Sequence, residues 1–309
     1  MLQKVKISNR ENGWRLDKFA TEVVPNFFSR NQIQDYIKSG SILVNKSSKK
    51  PSYKVKTGDI VEFNIPEEPE QIKILPEPLD LDIIYEDKDL LVINKPAGMI
   101  VHPTGNKKSG TLVNALLYHY DEIQNTGKQH RPGIVHRLDK ETSGAIVVAK
   151  NDQIHKDLSL QFKERLVIKQ YLALLDGVIE HEGTIEYGLT RHPVNRLKMK
   201  VSEYGKKSET HFKRVKSFGD FASMVIVIPK TGRTHQIRLH MKEYGHPVIG
   251  DKLYAKTKTK RVLTADRHML HALTLSFIHP RKNVRVTFTA RIPEDMIEMI
   301  KTLTELEKK

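Results

Sequence analysis

Apolar residues fall in short blocks along this chain, and the spacing inside the blocks alternates between two kinds. From residue 80 onward, runs of strand length recur: the strand-like opening IIYEDKDLLVINK, then GIVHRL, GAIVVAK, KQYLALLDG, MVIVIP and VRVTFTA. Helical spacing is interleaved with them. It predicts helices over Thr111–Tyr118, over Ile154–Arg165 (Ile154, Leu158 and Phe162 lie four apart), and over Thr234–Tyr244, where Ile237, Met241 and Tyr244 share a face and Gly245 is a stop. Irregular alternation of this kind predicts an α+β domain on a large mixed or antiparallel β-sheet with flanking helices, not a doubly wound one. The chain has no internal repeat and no GxGxxG or GxxxxGKS/T phosphate loop.

The first 66 residues have a different pattern. Ser29 is placed to cap a helix over Arg30–Lys38, with Gly40 as a left-handed stop. Ile33, Tyr36 and Ile37 share one face of that helix, and Arg30, Gln34 and Lys38 another. SILVN and VEFNI read as short strands, and Gly58-Asp59 as a turn. This is a small α/β unit whose Arg30 and Lys38 either contact a nucleic-acid backbone or simply face solvent on an amphipathic helix. Between it and the strand-rich part, Pro66–Asp82 carries four prolines and mostly carboxylates, which predicts an extended, self-repelling linker. The expected division is 1–66, a linker over 67–82, and a large domain over 83–309.

Charge sharpens that division. The 309 residues carry 52 Lys+Arg against 37 Asp+Glu, formally +15. Residues 1–65 hold 12 basic and 6 acidic side chains, 66–89 hold 2 and 9, and 90–309 hold 38 and 22. Two basic blocks around an acidic strip point to two polyanion-facing modules, and nucleic acid is the obvious polyanion. Zero cysteines exclude disulfide frameworks, thiol nucleophiles and thiolate metal sites. The start, MLQKVKISNREN, has no apolar core and is not a signal peptide, and no apolar run approaches the roughly 18 residues that span a bilayer. The expectation is a soluble, cytoplasmic protein with no membrane partner.

Two stretches carry candidate chemistry. In Pro132–Lys150, two strand-like runs flank the polar turn HRLDKETSG, which presents Asp139 on a supported loop with His136, Arg137 and Lys140 around it. An anchored carboxylate among cations is a usable nucleophile or oxocarbenium stabiliser; equally, Asp is a common turn starter. In Pro229–Tyr254, Thr231-Gly232 leads into a helix whose first turn carries Arg233 and His235, and Arg238 follows one turn beyond Thr234. The planar fork of such an arginine suits a carboxylate from elsewhere in the chain. His235 and His240 are five apart and so do not form an i, i+4 zinc pair; no metal site is expected. His102, His119, His130, His155, His181, His268 and His279 show no acidic or metal partner in the sequence.

These stretches carry a family resemblance. HRLDKETSG, followed by KQY and then TGRTHQIRLHM…GHPVIGD…Y, closely resembles the RluA/RluD-type pseudouridine synthases, and NKPAGMIVHP (Asn94–Pro103) is similar to their entry motif. The likeness covers residues 80–300. VHPTGNKKSGTLVNALLYHY and RHPVNRLKM look most like the D-type enzymes, which act on large-subunit ribosomal RNA. Over residues 13–65, Arg15-Leu16-Asp17-Lys18-Phe19, Ser29-Arg30, Gly40, Val44-Asn45 and Gly58-Asp59 resemble the small RNA-binding domain first known from ribosomal small-subunit protein four.

Position by position, the resemblance implies that Asp139 is the catalytic aspartate, that Tyr171 of KQY is the active-site tyrosine, and that Arg238 of HQIR pairs with the aspartate. It implies that Arg137 holds the space left by an extruded base, and that uridine isomerisation proceeds without a cofactor. The basic stretch Tyr187–Lys216, with nine Lys+Arg against two Glu, is expected to hold RNA through Arg191, Arg196, Lys198 and Lys200, with Arg233, His235 and the Lys252–Arg261 run beside it. Ribosomal RNA is the expected partner and a monomer the expected state. The same chemistry on tRNA, or a non-catalytic RNA chaperone of the same fold, are the competing readings.

Overall fold

The structure, a computed structural model, describes residues 2–25, 28, 30–66, 74–104, 107–128, 131–195, 197–255 and 264–308. The chain divides into two compact units, Met1–Ile72 and Lys73–Lys309.

The first unit is a three-stranded antiparallel sheet of β1 (Leu2–Lys6), β2 (Ile42–Val44) and β3 (Ile60–Asn64), with β3 in the middle. Helices α1 (Leu16–Val23) and α2 (Arg30–Lys38) pack on it. Ile33 and Ile37 are fully buried among Leu16, Phe19, Val61 and Phe63, which fixes the apolar face of α2. Gly40 follows at φ +81°, where a β-carbon would be strained. Ser29 lies outside the described residues. The first unit also buries a carboxylate. Asp17 is completely enclosed and receives Arg15 Nε and Nη2 at 3.0 and 2.9 Å, Gln34 Nε2 at 2.7 Å and Arg30 Nη2 at 3.2 Å. Arg15 above all, with Gln34 and Arg30, outweighs burial and holds Asp17 well below the usual carboxylate range.

In the second unit the order is β4 (Ile83–Glu86), β5 (Leu90–Lys95), α3 (Leu112–His119), a 3-10 turn at Asp121–Asn125, the short ladder β6 (Gly127–Lys128) and β7 (Arg131–Pro132), β8 (Ser143–Ala149), α4 (Asp152–Lys163), β9 (Ile168–Asp176), β10 (Glu182–Arg191), β11 (Met199–Val201), β12 (Lys206–Phe218), β13 (Ala222–Pro229), α5 (Gln236–Glu243), β14 (Leu270–Ile278), β15 (Arg285–Thr289) and α6 (Glu294–Glu307). Ten of the strands form one sheet, ordered β11-β10-β12-β13-β9-β14-β8-β5-β4, with β15 also on β14. Every pairing is antiparallel except β8 with β14, so the sheet is mixed and the architecture is α+β. Among the described residues no helix is long and apolar enough to cross a membrane.

Strands β5 and β8 read as unbroken apolar runs because both of their faces are covered. Leu91, Ile93, Ile146 and Val148 pack on α3, while Leu90, Val92, Ala145 and Val147 pack on Ile154 and Leu158 of α4. The helix ends are set by capping. Thr111 and Asn114 form a capping box at the start of α3, and Asn151 accepts the Ile154 N–H at 3.1 Å, which starts α4 before the apolar residues that revealed it.

GIVHRL is not a strand. Gly133 turns at φ +72°, and the backbone N–H of Val147 on β8 donates to His136 Nε2 at 3.0 Å, so a side chain takes the place a neighbouring strand would fill. Of the acidic, Pro-rich strip, 67–73 lies outside the described residues. Residues 74–82 run without regular secondary structure along α3: Ile74 and Leu81 join its apolar cluster, and Asn114 Nδ2 donates to Leu75 O at 2.7 Å. His279, which shows no acidic partner in sequence, has one in space. Its Nε2 lies 2.8 Å from Asp87 Oδ2, 192 residues away, and next to it Arg281 grips Asp89.

Candidate active site

The turn HRLDKETSG is held at every step from residue 140 to 143. Lys95, fully buried, donates from Nζ to the carbonyls of Pro96, Met99 and Lys140 at 2.7, 2.9 and 3.1 Å, and the Gly98 N–H also donates to Lys140 O at 2.9 Å. The entry motif NKPAGM is thus a clamp on the peptide after Asp139. Burial pushes the Lys95 ammonium down to about 7. Arg267 Nη1 donates to Glu141 O at 3.1 Å, Thr142 Oγ1 lies 2.8 Å from His268 Nε2, and Ser143 Oγ 2.9 Å from His271 Nδ1. Gly144 then passes so close to β14 that a β-carbon on it would lie 2.2 Å from Ala272 O.

Asp139, so presented, meets the start of α5. Arg238 Nη1 donates to Asp139 Oδ2 at 3.1 Å. Two further N–H groups of the same guanidinium go to Asp251: Nε to Oδ2 at 2.7 Å and Nη2 to Oδ1 at 2.9 Å. Asp251 Oδ1 also accepts the Leu253 and Tyr254 N–H groups. Burial works against charge on both partners, but Asp251 and then Asp139 raise the Arg238 pKa, and Arg238 lowers that of Asp251. The pair is a buried, doubly bonded ion pair that aims one N–H at Asp139.

His235 occupies the cap position of α5 with a left-handed backbone, φ +54°, which is why the helix starts at Gln236 and not at Thr234. Its Nε2 is 3.9 Å from Asp139 Oδ2, and its Nδ1 is 2.9 Å from the Tyr254 hydroxyl. That hydroxyl also accepts the Met199 N–H at 2.8 Å, and in the tautomer where it donates to Nδ1 the imidazole proton lies on Nε2, facing Asp139. Burial lowers the His235 pKa. Gln236 locks the preceding loop: Oε1 accepts from Thr231 Oγ1 and the Arg233 N–H, and Nε2 donates to Glu209 O and Thr210 Oγ1.

Tyr171, on β9, lines the same cleft. Burial, then the charge of Asp139, push its phenol up, so it stays protonated. His136, grouped with the cations in sequence, is instead a neutral acceptor. Burial, then Lys169, hold it down at about 3, and its ring stacks on Phe162 at 4.5 Å. The cleft measures about 510 Å³, and among the described residues its lining has seven Lys or Arg side chains and one carboxylate, Asp139. A second cleft of about 510 Å³ shares Arg137, Leu138, Asp139, His235 and Arg238 with the first.

The other sequence candidates separate. Arg137 is exposed at the border of both clefts, and Arg233 is half-buried in the first. Arg191, Lys198 and Lys200 sit on or beside β10 and β11 and are not among the residues that line either cleft, although Leu197 lines the second. Arg196 and residues 256–263 of the second basic run lie outside the described residues. In the first unit, Arg30 is bound to Asp17, and Lys38 to Asp35 at 2.9 Å. Sequence reasoning passed over Asp251, Lys95 and Gln236. Asp251 and Lys95 stand inside motifs that were quoted, yet nothing in their spacing reveals what they hold.

Comparison with known proteins adds names to this geometry. A family profile described as RNA pseudouridylate synthase matches residues 89–243, and one described as S4 domain matches residues 14–61. The RNA pseudouridine synthase YlyB of Bacillus subtilis is 44% identical over 97% of this chain and 97% of its own. The ribosomal large subunit pseudouridine synthase D of Zymomonas mobilis is 38% identical, again with 97% of each chain covered. Among solved structures, human RNA pseudouridylate synthase domain containing 1 superposes with a TM-score of 0.56 at 30% identity, over 74% of this chain and 96% of that one.

Proposed function

The chain belongs to the RNA pseudouridylate synthase family and carries an S4 domain at its N-terminal end, and on that premise we propose that it isomerises uridines in loops of large-subunit ribosomal RNA, in the cytoplasm, with Asp139 as the nucleophile. The observation that supports the catalytic part is one carboxylate, aimed by Arg238 at 3.1 Å, in a cleft whose other charged lining residues, among those described, are Lys and Arg. The ribosomal target is supported by the relatives named for the large ribosomal subunit, which match this chain over nearly its whole length.

In the proposed reaction the N1–C1′ bond of uridine breaks, the uracil turns, and C5 bonds to C1′. The proton leaving C5 is balanced by one gained at N1, so nothing is oxidised, reduced or transferred from a donor. Asp139 acts at C1′, by direct attack or by assisting glycal formation. Arg238 keeps the carboxylate oriented through the step, and the neutral imidazole of His235 offers its Nε2 proton beside it. Tyr171, as a protonated phenol, stacks on the base and relays the proton by giving one as it takes another. The target base must leave its stack at a cost of a few kcal/mol, which favours loops over intact duplex. Arg137, exposed at the border of the clefts, is placed to fill the gap left behind.

Two measurements test this. Asp139→Asn is expected to abolish pseudouridine formation while RNA affinity stays within about twofold; retained activity would remove Asp139 from the mechanism. Mapping pseudouridine in ribosomal RNA and tRNA from cells with and without the protein is expected to show loss from the large-subunit RNA; loss confined to tRNA would overturn the ribosomal target.

A further inference from the structure

The first cleft continues past Tyr171. Strand β9 puts alternate side chains on one face, so Lys169 enters the same cavity as Tyr171, two residues on. Arg165 lines the adjoining wall, from the turn that closes α4.

Three features mark this pair, the first at the left-handed cap that closes α4, where the Leu166 N–H donates to Gln161 O at 2.9 Å. Arg165 has φ +60°, a left-handed position that helix ends normally give to Gly or Asn because a β-carbon is strained there. An arginine held in that conformation directs a guanidinium where glycine would have been easier. Next, neither cation is neutralised: among the described residues no hydrogen bond or ion pair holds Lys169 Nζ or the Arg165 guanidinium, and the neighbouring Glu164 has its ion pair with Lys163, at 3.7 Å. Finally, Lys169 is desolvated beside a like charge. Burial, then Arg165, bring its ammonium down to about 8. Arg238 in the same cleft has two carboxylates and Lys95 behind it has three carbonyls, whereas Arg165 and Lys169 adjoin each other with no carboxylate between them. Bringing an anion between the two cations would remove their repulsion.

We propose that Arg165 and Lys169 form the seat of one phosphodiester of the RNA strand next to the target uridine, on the Tyr171 side of Asp139 and apart from the basic strands β10 to β12. The fork of Arg165 engages two non-bridging oxygens, and Lys169 supplies a point charge from below. The seat fixes the strand on one side of the extruded nucleotide. It rests on the RNA-isomerase reading above.

The experiment uses the full chain and a uridine-containing RNA stem-loop that the wild type modifies. Binding is measured over a range of salt in the Asp139→Asn background, with Arg165→Gly and Lys169→Met added singly. Arg165→Gly relieves the left-handed strain and Lys169→Met removes a buried charge, so both chains are expected to stay folded, with unfolding temperatures at or above the parent. Each is expected to weaken binding about 10- to 100-fold and to reduce the salt slope by roughly one. In the active chain the same changes are expected to raise KM with kcat within about twofold.

A second arm replaces one phosphate at a time around the target uridine with an uncharged methylphosphonate. At one position the replacement is expected to cost the parent as much as Lys169→Met does, and to cost the Lys169→Met chain nothing further. Unchanged affinity and slope in both variants, or additive losses at every position, overturn the seat. A wild-type chain that modifies no uridine-containing RNA overturns the isomerase reading, whereas unchanged binding in both variants on an RNA that the wild type does modify overturns the seat alone.

Discussion

Arg238 divides one guanidinium between two carboxylates, and the division decides what each does. Asp251 takes two N–H groups and is itself held by two backbone amides, so it is a fixed anchor; Asp139 takes a third and is left open to the cleft. Removing the anchor frees the arginine to swing onto Asp139. Asp251→Asn is therefore expected to lower the single-turnover rate roughly 100-fold with little change in RNA affinity, and Arg238→Lys to behave similarly because an ammonium cannot bridge both partners. A single-turnover rate within about threefold of wild type for Asp251→Asn would show that Asp139 needs no such aiming. At this scale the sequence was legible where a motif names the residue type the chemistry needs: Asp139, Tyr171 and Arg238 all reach one cleft. It was not legible for Asp251, whose meaning lies in an arginine thirteen residues back across a helix, nor for Lys95, whose three acceptors are main-chain carbonyls and leave no mark on side-chain pattern.

Among elements, strands were legible in proportion to how apolar their surroundings are. Strands β5 and β8 are buried on both faces and announce themselves as apolar runs. Strand β12, the longest at 13 residues, reads KKSETHFKRVKSF, and its inward positions include Ser208 and Thr210, spoken for by His240 and Gln236. A strand whose inner face is satisfied by hydrogen bonds has no hydrophobic period to detect. The helix starts differ for the reason already given: capping side chains and a left-handed His235 set them. At Gly144 the element and the site meet. A β-carbon there would collide with Ala272 O across the parallel β8–β14 contact, at a φ of +115° that no other residue accepts easily. Gly144→Ala is expected to destabilise the second unit by roughly 2–5 kcal/mol and to reduce kcat by displacing the loop that carries Asp139. A urea midpoint equal to wild type would show that the two strands have room to part.

Across the whole molecule, buried histidines make stability depend on pH. His240, His268 and His271 are held down at about 4 and His136 at about 3, in each case first by burial. Unfolded, each titrates near about 6.5, so between that value and about 4 the unfolded chain binds protons the folded chain refuses. Stability therefore rises with pH through this window. On acidification from pH 7 to 5 it is expected to fall, by up to about 1.4 kcal/mol per pH unit for each histidine. The lowered carboxylates, Asp17 and Asp87 among them, begin to lose their contribution only at about pH 5 and so change little across this range. Urea midpoints that stay level from pH 7 to 5 would refute the assignment.

Two of those histidines also hold the turn that bears Asp139, and the distance along the chain has a consequence in time. Thr142, Ser143 and the Glu141 carbonyl are anchored by His268, His271 and Arg267, 126 to 128 residues further on. The first unit, by contrast, closes its contacts within 72 residues. Chains grow from the N-terminus and non-local contacts form last. During synthesis the RNA-binding unit is complete while the turn bearing Asp139 still lacks its anchors. A nascent chain can therefore hold RNA long before it can alter it, and the chemistry becomes available only when the strand beginning at Leu270 has left the ribosome.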